Sequence, residues 1–217
     1  MSQPPGPRWH GGQRRIGLTG GIASGKSTVG RWLEQRGLPL LDADRFAREA
    51  LAPGSAGARA VLQRYGTAVR APGSTTSSAE LDRSALGRIV FDDPSERLWL
   101  EQLVHPLVRQ RFDDALQQLA AAPAVVLMIP LLFEAGLEGL CSEIWLVDCE
   151  PATQLQRLMG RDQLREADAR ARLGAQWPLE RKRPLADRLI DNRGGPEALE
   201  PQLVAALAVG LSPGASG

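Results

Sequence analysis

The sequence predicts an α/β chain: a parallel sheet flanked by helices, interrupted by an inserted helical segment. Three observations carry that expectation. Short apolar runs recur along the 217 residues without polar alternation, as in strands covered on both faces. The chain opens with a strand–loop–helix–strand unit, which is how a parallel sheet is built. Between residues 44 and 122 the pattern turns mostly helical before strands resume.

Residues 1–13 are rich in proline and glycine and read as a flexible leader. The first strand is expected at Ile16–Thr19, followed by a glycine-rich turn and a helix over about 27–36 that Gly37 terminates. A second strand covers Leu38–Leu41 and ends on Asp42-Ala43-Asp44, where Asp44 is placed to cap the next helix. The helical stretch is broken at Pro53-Gly54-Ser55 and by the surface loop 71–78. Asp93-Pro94 reads as a cap with proline at the first helical position, and His105-Pro106 is expected to kink or divide the helix that follows. Strands three and four are expected at Ala124–Ile129 and Ile144–Val147. A helix follows from Pro151 to about Arg161, then an arginine-rich helical stretch to about Arg183. A short fifth strand at Leu189-Ile190 and a last helix over about 196–211 complete the fold, with 212–217 as a flexible tail.

Composition narrows the function classes. The formal net charge is +1, and there is a single tyrosine, so neither backbone neutralisation nor base stacking for nucleic acid is well supplied. The longest apolar run, 124–133, is too short to span a bilayer, and no signal peptide is recognised, so a cytoplasmic protein without a membrane partner is expected. The two cysteines, Cys141 and Cys149, have no metal-type spacing and read as reduced packing residues. Only two of the 26 basic residues are lysines, Lys26 and Lys182, so each lysine is informative.

Lys26 falls in the segment Gly20-Gly21-Ile22-Ala23-Ser24-Gly25-Lys26-Ser27, which fits G-x-x-x-x-G-K-[ST]. Glycines let successive N–H groups face one anion, and the following helix adds the positive end of its dipole. Gly21 to Thr28 are therefore the nucleotide-binding candidates: Lys26 reaches the β- and γ-phosphates of ATP, Ser27 ligates Mg2+, and Thr28 takes another phosphate oxygen.

A phosphate loop alone does not separate kinase, GTPase, motor and switch. No N-K-x-D segment is present, which argues against guanine reading. Asp42 and Asp44 lie at the carboxyl end of a strand, where an open sheet binds ligands, and Asp44 is the first candidate to orient an acceptor hydroxyl. The 161–183 stretch carries six arginines suited to neutralising a transferring phosphoryl group on a closing lid, Arg161 foremost. Asn192, in a turn after the last strand, is a candidate for an adenine edge. The residues point to a kinase acting on a small-molecule hydroxyl. The alternatives are another nucleotide or metabolite kinase, or an ATP-dependent switch, which leaves the acceptor features unexplained.

Taken together, Leu18 to Thr28, Asp42-Ala43-Asp44, Leu81-Asp82-Arg83, Leu103-Val104-His105-Pro106, Pro130-Leu131-Leu132-Phe133-Glu134 and Ile190-Asp191-Asn192 resemble the dephospho-coenzyme A kinases, in that family's order and over about residues 15–194. The resemblance implies transfer of phosphate from ATP to the ribose 3′-hydroxyl of dephospho-coenzyme A. It implies a core at 14–44, 123–160 and 186–211, a substrate-binding helical subdomain at 45–122 and a lid at 161–185. It also implies roles: Asp44 as catalytic aspartate, Arg161 as lid arginine, Asn192 on the adenine side, and Arg83, His105 and Glu134 near the acceptor.

Overall fold

The computed structural model describes residues 7–74, 80–194 and 196–209. The chain divides into two compact units, residues 1–41 with 119–217, and residues 42–118.

The first unit is an α/β sandwich. Its strands β1 (Arg14–Gly20), β2 (Leu40–Asp42), β3 (Ala124–Met128), β4 (Glu143–Asp148) and β5 (Arg188–Asp191) lie in the order β2-β3-β1-β4-β5. β1 pairs in parallel with both β3 and β4, and β4 with β5. Alternate residues of these strands serve opposite faces. Ile16, Leu18, Val126, Trp145 and Val147 form one core with Val29 and Leu33 of α1 (Lys26–Gln35) and Leu199 and Leu203 of α9 (Pro196–Ala208). On the other face Leu146 and Cys149 pack with Leu179. Both faces being covered explains why the strands read as unbroken apolar runs. α1 ends as expected, on Gly37 at φ 83°.

Three expectations change. Residues 7–13 are docked on the sheet rather than loose. The Trp9 N–H donates to the Cys141 carbonyl at 3.0 Å, Arg8 pairs with Asp187 at 3.1 Å, and the Arg15 guanidinium lies 3.5 Å from the centre of the Trp9 ring. The arginine-rich stretch is not one helix. α6 (Pro151–Asp162) stops where Gln163 adopts φ 51°, and α7 (Glu166–Gly174) and α8 (Leu179–Lys182) follow as separate pieces, with Pro178 ahead of α8. α9 passes through Pro201 and ends at Ala208 rather than 211. Residues 1–6 of the leader and the tail at 212–217 lie outside the described residues.

The second unit is helical: α2 (Ala43–Ala50), α3 (Ala56–Tyr65), α4 (Arg83–Asp92) and α5 (Pro94–Gln118). Ala58, Val61, Val69, Leu81 and Leu86 form its core. Phe46 meets Phe112 edge-to-face at 4.9 Å, and Arg111 pairs with Glu49 at 2.9 Å, so α2 is fixed on α5. The 71–78 loop leaves from a single antiparallel bridge, Arg70 with Leu81; its residues 75–78 lie outside the described set. α5 is not divided at His105-Pro106 but runs unbroken through it. A proline inside a helix costs about 3 kcal/mol, and the burial of Val108, Phe112 and Leu116 along the same helix offsets that.

Candidate active site

β1 delivers the phosphate loop from the middle of the sheet, at the carboxyl end where parallel strands present their ligands. The loop turns through two left-handed residues, Ala23 at φ 58° and Gly25 at φ 96°. α1 begins directly at Lys26. No side chain caps this helix, and its first turn holds no acidic residue. No acidic side chain in the first turn therefore offsets the positive end of the helix dipole. Ser27 and Thr28 are exposed in that first turn. This donor set, with Lys26 at its head, fits a polyphosphate, and the exposed Ser27 hydroxyl fits an oxygen-seeking cation beside it.

The loop is gripped from outside by three side-chain amides. Gln154 of α6 donates from Nε2 to the Ile22 carbonyl at 2.8 Å. Gln176, between α7 and α8, accepts the Ile22 N–H on Oε1 at 2.9 Å. Asn192, just past β5, donates from Nδ2 to the Ser24 carbonyl at 2.7 Å. The loop glycines make room for these groups: a Cβ at Gly21 would sit 2.3 Å from Gln154 Nε2, and one at Gly25 only 2.0 Å from Asn192 Nδ2. Asn192, expected at an adenine edge, is buried with its donor on the loop. Gln154 and Gln176 escaped sequence reading, because an isolated glutamine carries no motif.

Glu134, expected near the acceptor, makes two contacts within the chain. It lies in the turn after β3, and its Oε1 accepts the Trp177 N–H at 3.0 Å and pairs with Lys182 Nζ at 2.7 Å. Lys182 has no exposure at all. Glu134 Oε2 is buried without a hydrogen-bond partner. The lone second lysine is thus the counter-ion of a carboxylate 48 residues earlier in the chain.

Arg161, in the last turn of α6, makes a forked pair with Asp162 at 2.7 and 3.1 Å, and Arg172 reaches the same carboxylate at 3.0 Å. The Arg161 hydrogen bonds hold the Asp162 carboxyl below its ordinary range. Arg183 is held by Asp148, at the end of β4, at 3.1 Å.

In the helical unit, Asp42 rather than Asp44 caps α2: Asp42 Oδ1 accepts the Asp44 N–H at 2.8 Å. That leaves the exposed Asp44 carboxylate in the first turn without capping duty. Asp82 caps α4, accepting from the N–H groups of Ser84 and Ala85, and the adjacent Arg83 donates to the Arg48 carbonyl of α2 at 3.0 Å. Arg83 thus binds the helix that carries Asp44. His105 is exposed on α5. Among the described residues no trio of His, Cys, Asp or Glu side chains forms a metal cage, and no helix is long and apolar enough to cross a membrane.

Known proteins agree with this architecture. The chain is 65% identical over 190 residues to a dephospho-CoA kinase of Synechococcus sp. (strain CC9605), covering 88% of this chain and 90% of that one. It is 62% identical over 200 residues to the dephospho-CoA kinase of Prochlorococcus marinus (strain MIT 9313), covering 92% and 98%. A crystal structure from Thermus thermophilus superposes with a TM-score of 0.77 at 39% identity, over 93% of this chain and 99% of that one. The dephospho-CoA kinase from Campylobacter jejuni does so with 0.66 at 26%, over 89% and 95%. The profile described as dephospho-CoA kinase matches residues 14–197, and this chain belongs to that family of P-loop kinases.

Proposed function

We propose that this protein phosphorylates the ribose 3′-hydroxyl of dephospho-coenzyme A with ATP, yielding coenzyme A and ADP. The observation that carries the reading is the family match over residues 14–197, on a chain whose phosphate loop opens an uncapped helix. The acceptor oxygen attacks the γ-phosphorus and the bond to the β–γ bridging oxygen breaks. ADP departs with that electron pair, and the hydroxyl proton passes to the Asp44 carboxylate.

Each residue's part follows from its chemistry. Lys26 and the first-turn N–H groups of α1 hold the β- and γ-phosphates, and Thr28 adds a hydroxyl donor. Ser27 is the chain's ligand for Mg2+, which when bound neutralises phosphate charge. Asp44 orients the acceptor hydroxyl; Arg83 and His105 act on the acceptor side from the 42–118 unit. The 161–185 segment serves as the lid, with Arg161 exchanging Asp162 for phosphate oxygens. ATP as donor and the absence of a spanning helix among the described residues suit a cytoplasmic setting.

The test is direct. Purified protein with ATP, Mg2+ and dephospho-coenzyme A should release ADP only when the acceptor is present. Lys26→Ala should keep its fold and lose turnover; Asp44→Asn should bind both substrates and lose most of its rate. ATP binding without acceptor-dependent ADP would remove dephospho-coenzyme A as the substrate.

A further inference from the structure

We propose that Gln176, held in place by the buried Lys182–Glu134 pair, is a positioning residue for the phosphate loop, so that the segment joining α7 to α8 sets nucleotide affinity. The proposal rests on the kinase reading only in that the loop binds the phosphates of a nucleotide.

Both main-chain groups of Ile22 are held by side chains. Its carbonyl accepts from Gln154 and its N–H donates to Gln176. Rotation of either peptide flanking Ile22 would redirect the amides that follow it, and these are the groups that must face an anion together. Gln154 comes from the body of α6. Gln176 comes from a linker outside any helix, so something else must hold it still.

Four features do so. The Trp177 N–H, next along the chain, is fixed on Glu134 Oε1 at 3.0 Å. Lys182 fixes the same oxygen at 2.7 Å and also donates to the Pro130 carbonyl at 3.4 Å. Arg181 stacks on the Trp177 ring at 3.3 Å. Leu179 is buried against Leu146 and Cys149, with its Cδ2 3.5 Å from where a Cβ on Gly21 would be.

The ion pair is a poor device for stability alone. Removing two charges from water costs several kcal/mol per ion, and apolar side chains of similar size often do as well or better. What the pair supplies here is location: the carboxylate after β3 fixes the main chain one residue beyond Gln176, and thereby the amide that meets the loop. Glu134 accordingly acts through the linker and not on the acceptor.

The experiment reads nucleotide affinity by calorimetry with a non-hydrolysable ATP analogue and Mg2+, alongside KM for each substrate and thermal unfolding. Gln176→Ala should weaken analogue binding about threefold to tenfold, the value of one neutral hydrogen bond. KM for ATP should rise with it, while KM for the acceptor and the unfolding temperature stay near wild type. Lys182→Met should weaken analogue binding in the same direction, because it leaves the Glu134 carboxylate unpaired. Adding Glu134→Gln to Lys182→Met should recover affinity, since a neutral amide oxygen again accepts the Trp177 N–H without a buried charge. Wild-type affinity in Gln176→Ala, or loss of both KM values in step with the unfolding temperature, would overturn the proposal. Failure of the substrate assignment appears separately, as analogue binding by the wild type with no acceptor-dependent ADP.

Discussion

Gly25→Ala is the substitution whose effect the structure sizes most directly. The residue sits at φ 96°, where a side chain is strained, and a Cβ would lie 2.0 Å from Asn192 Nδ2. A non-glycine residue held in a sparsely populated region costs about 1–3 kcal/mol. The clash adds to this by displacing the Asn192 amide from the Ser24 carbonyl, a hydrogen bond of 2.7 Å whose net worth is about 0.5–1.5 kcal/mol. The sum is about 1.5–4.5 kcal/mol, which for a chain of this size lowers the unfolding temperature by roughly 3–18 °C. Scanning calorimetry of Gly25→Ala, Asn192→Ala and the double variant separates the two parts. With the Asn192 amide removed, the clash disappears, so Gly25→Ala should cost less in that background by about the hydrogen-bond share. Strict additivity, or a melting temperature within about 1 °C of wild type for Gly25→Ala, would refute the reasoning.

Three further outcomes are expected. Both cysteines are fully buried, and burial pushes the Cys141 thiol up to about 12; neither should react with a thiol reagent at pH 8 until the protein unfolds, and one thiol reacting within seconds in the native state contradicts this. In the helical unit, hydrogen bonds from Arg64 and then Tyr65 hold the Glu96 carboxyl below its ordinary value of 4.5. The depressed folded-state value means that the stabilisation is present above about pH 4.5 and is lost as pH falls further, so Glu96→Gln should flatten the acid limb of the stability profile. Deleting residues 1–13 should lower the unfolding temperature by several degrees, on the order of 1–2 kcal/mol, through loss of the Arg8–Asp187 pair and the Trp9 contacts; an unchanged melt would mean that this docking adds no stability.

The phosphate loop was legible because its chemistry is local: glycines, a lysine and a hydroxyl at fixed offsets between a strand and a helix. The sheet was legible because the apolar runs of its three central strands, β1, β3 and β4, are buried on both sides. Local ambiguity explains other departures. Asp42 and Asp44 are both suitable caps, and only backbone geometry selects Asp42. Arginine, alanine and leucine favour a helix over much of 161–183, but a left-handed Gln163 ends α6, and Gly174 and Pro178 bound the gap between α7 and α8. Pro106 breaks a local rule that packing of α5 overrides. The amides that hold the loop were hidden by distance, since they come from 132, 154 and 168 residues away in sequence. Glu134 and Lys182 stood out as chemically interesting residues, yet nothing in their neighbourhoods announced that each is the other's partner.

That the loop is held by two glutamines and an asparagine has an electrical consequence. None of the three ionises, so the grip itself does not loosen across the physiological pH range, and salt does not screen it. Nor do these residues place a formal charge on the loop that would compete with the incoming triphosphate or bind a stray anion in its stead. Charge at this point comes from Lys26, the helix end and the Arg157 guanidinium, 3.9 Å from where a Cβ on Gly25 would lie, while the three amides give mechanical support that the nucleotide's field leaves unchanged in charge.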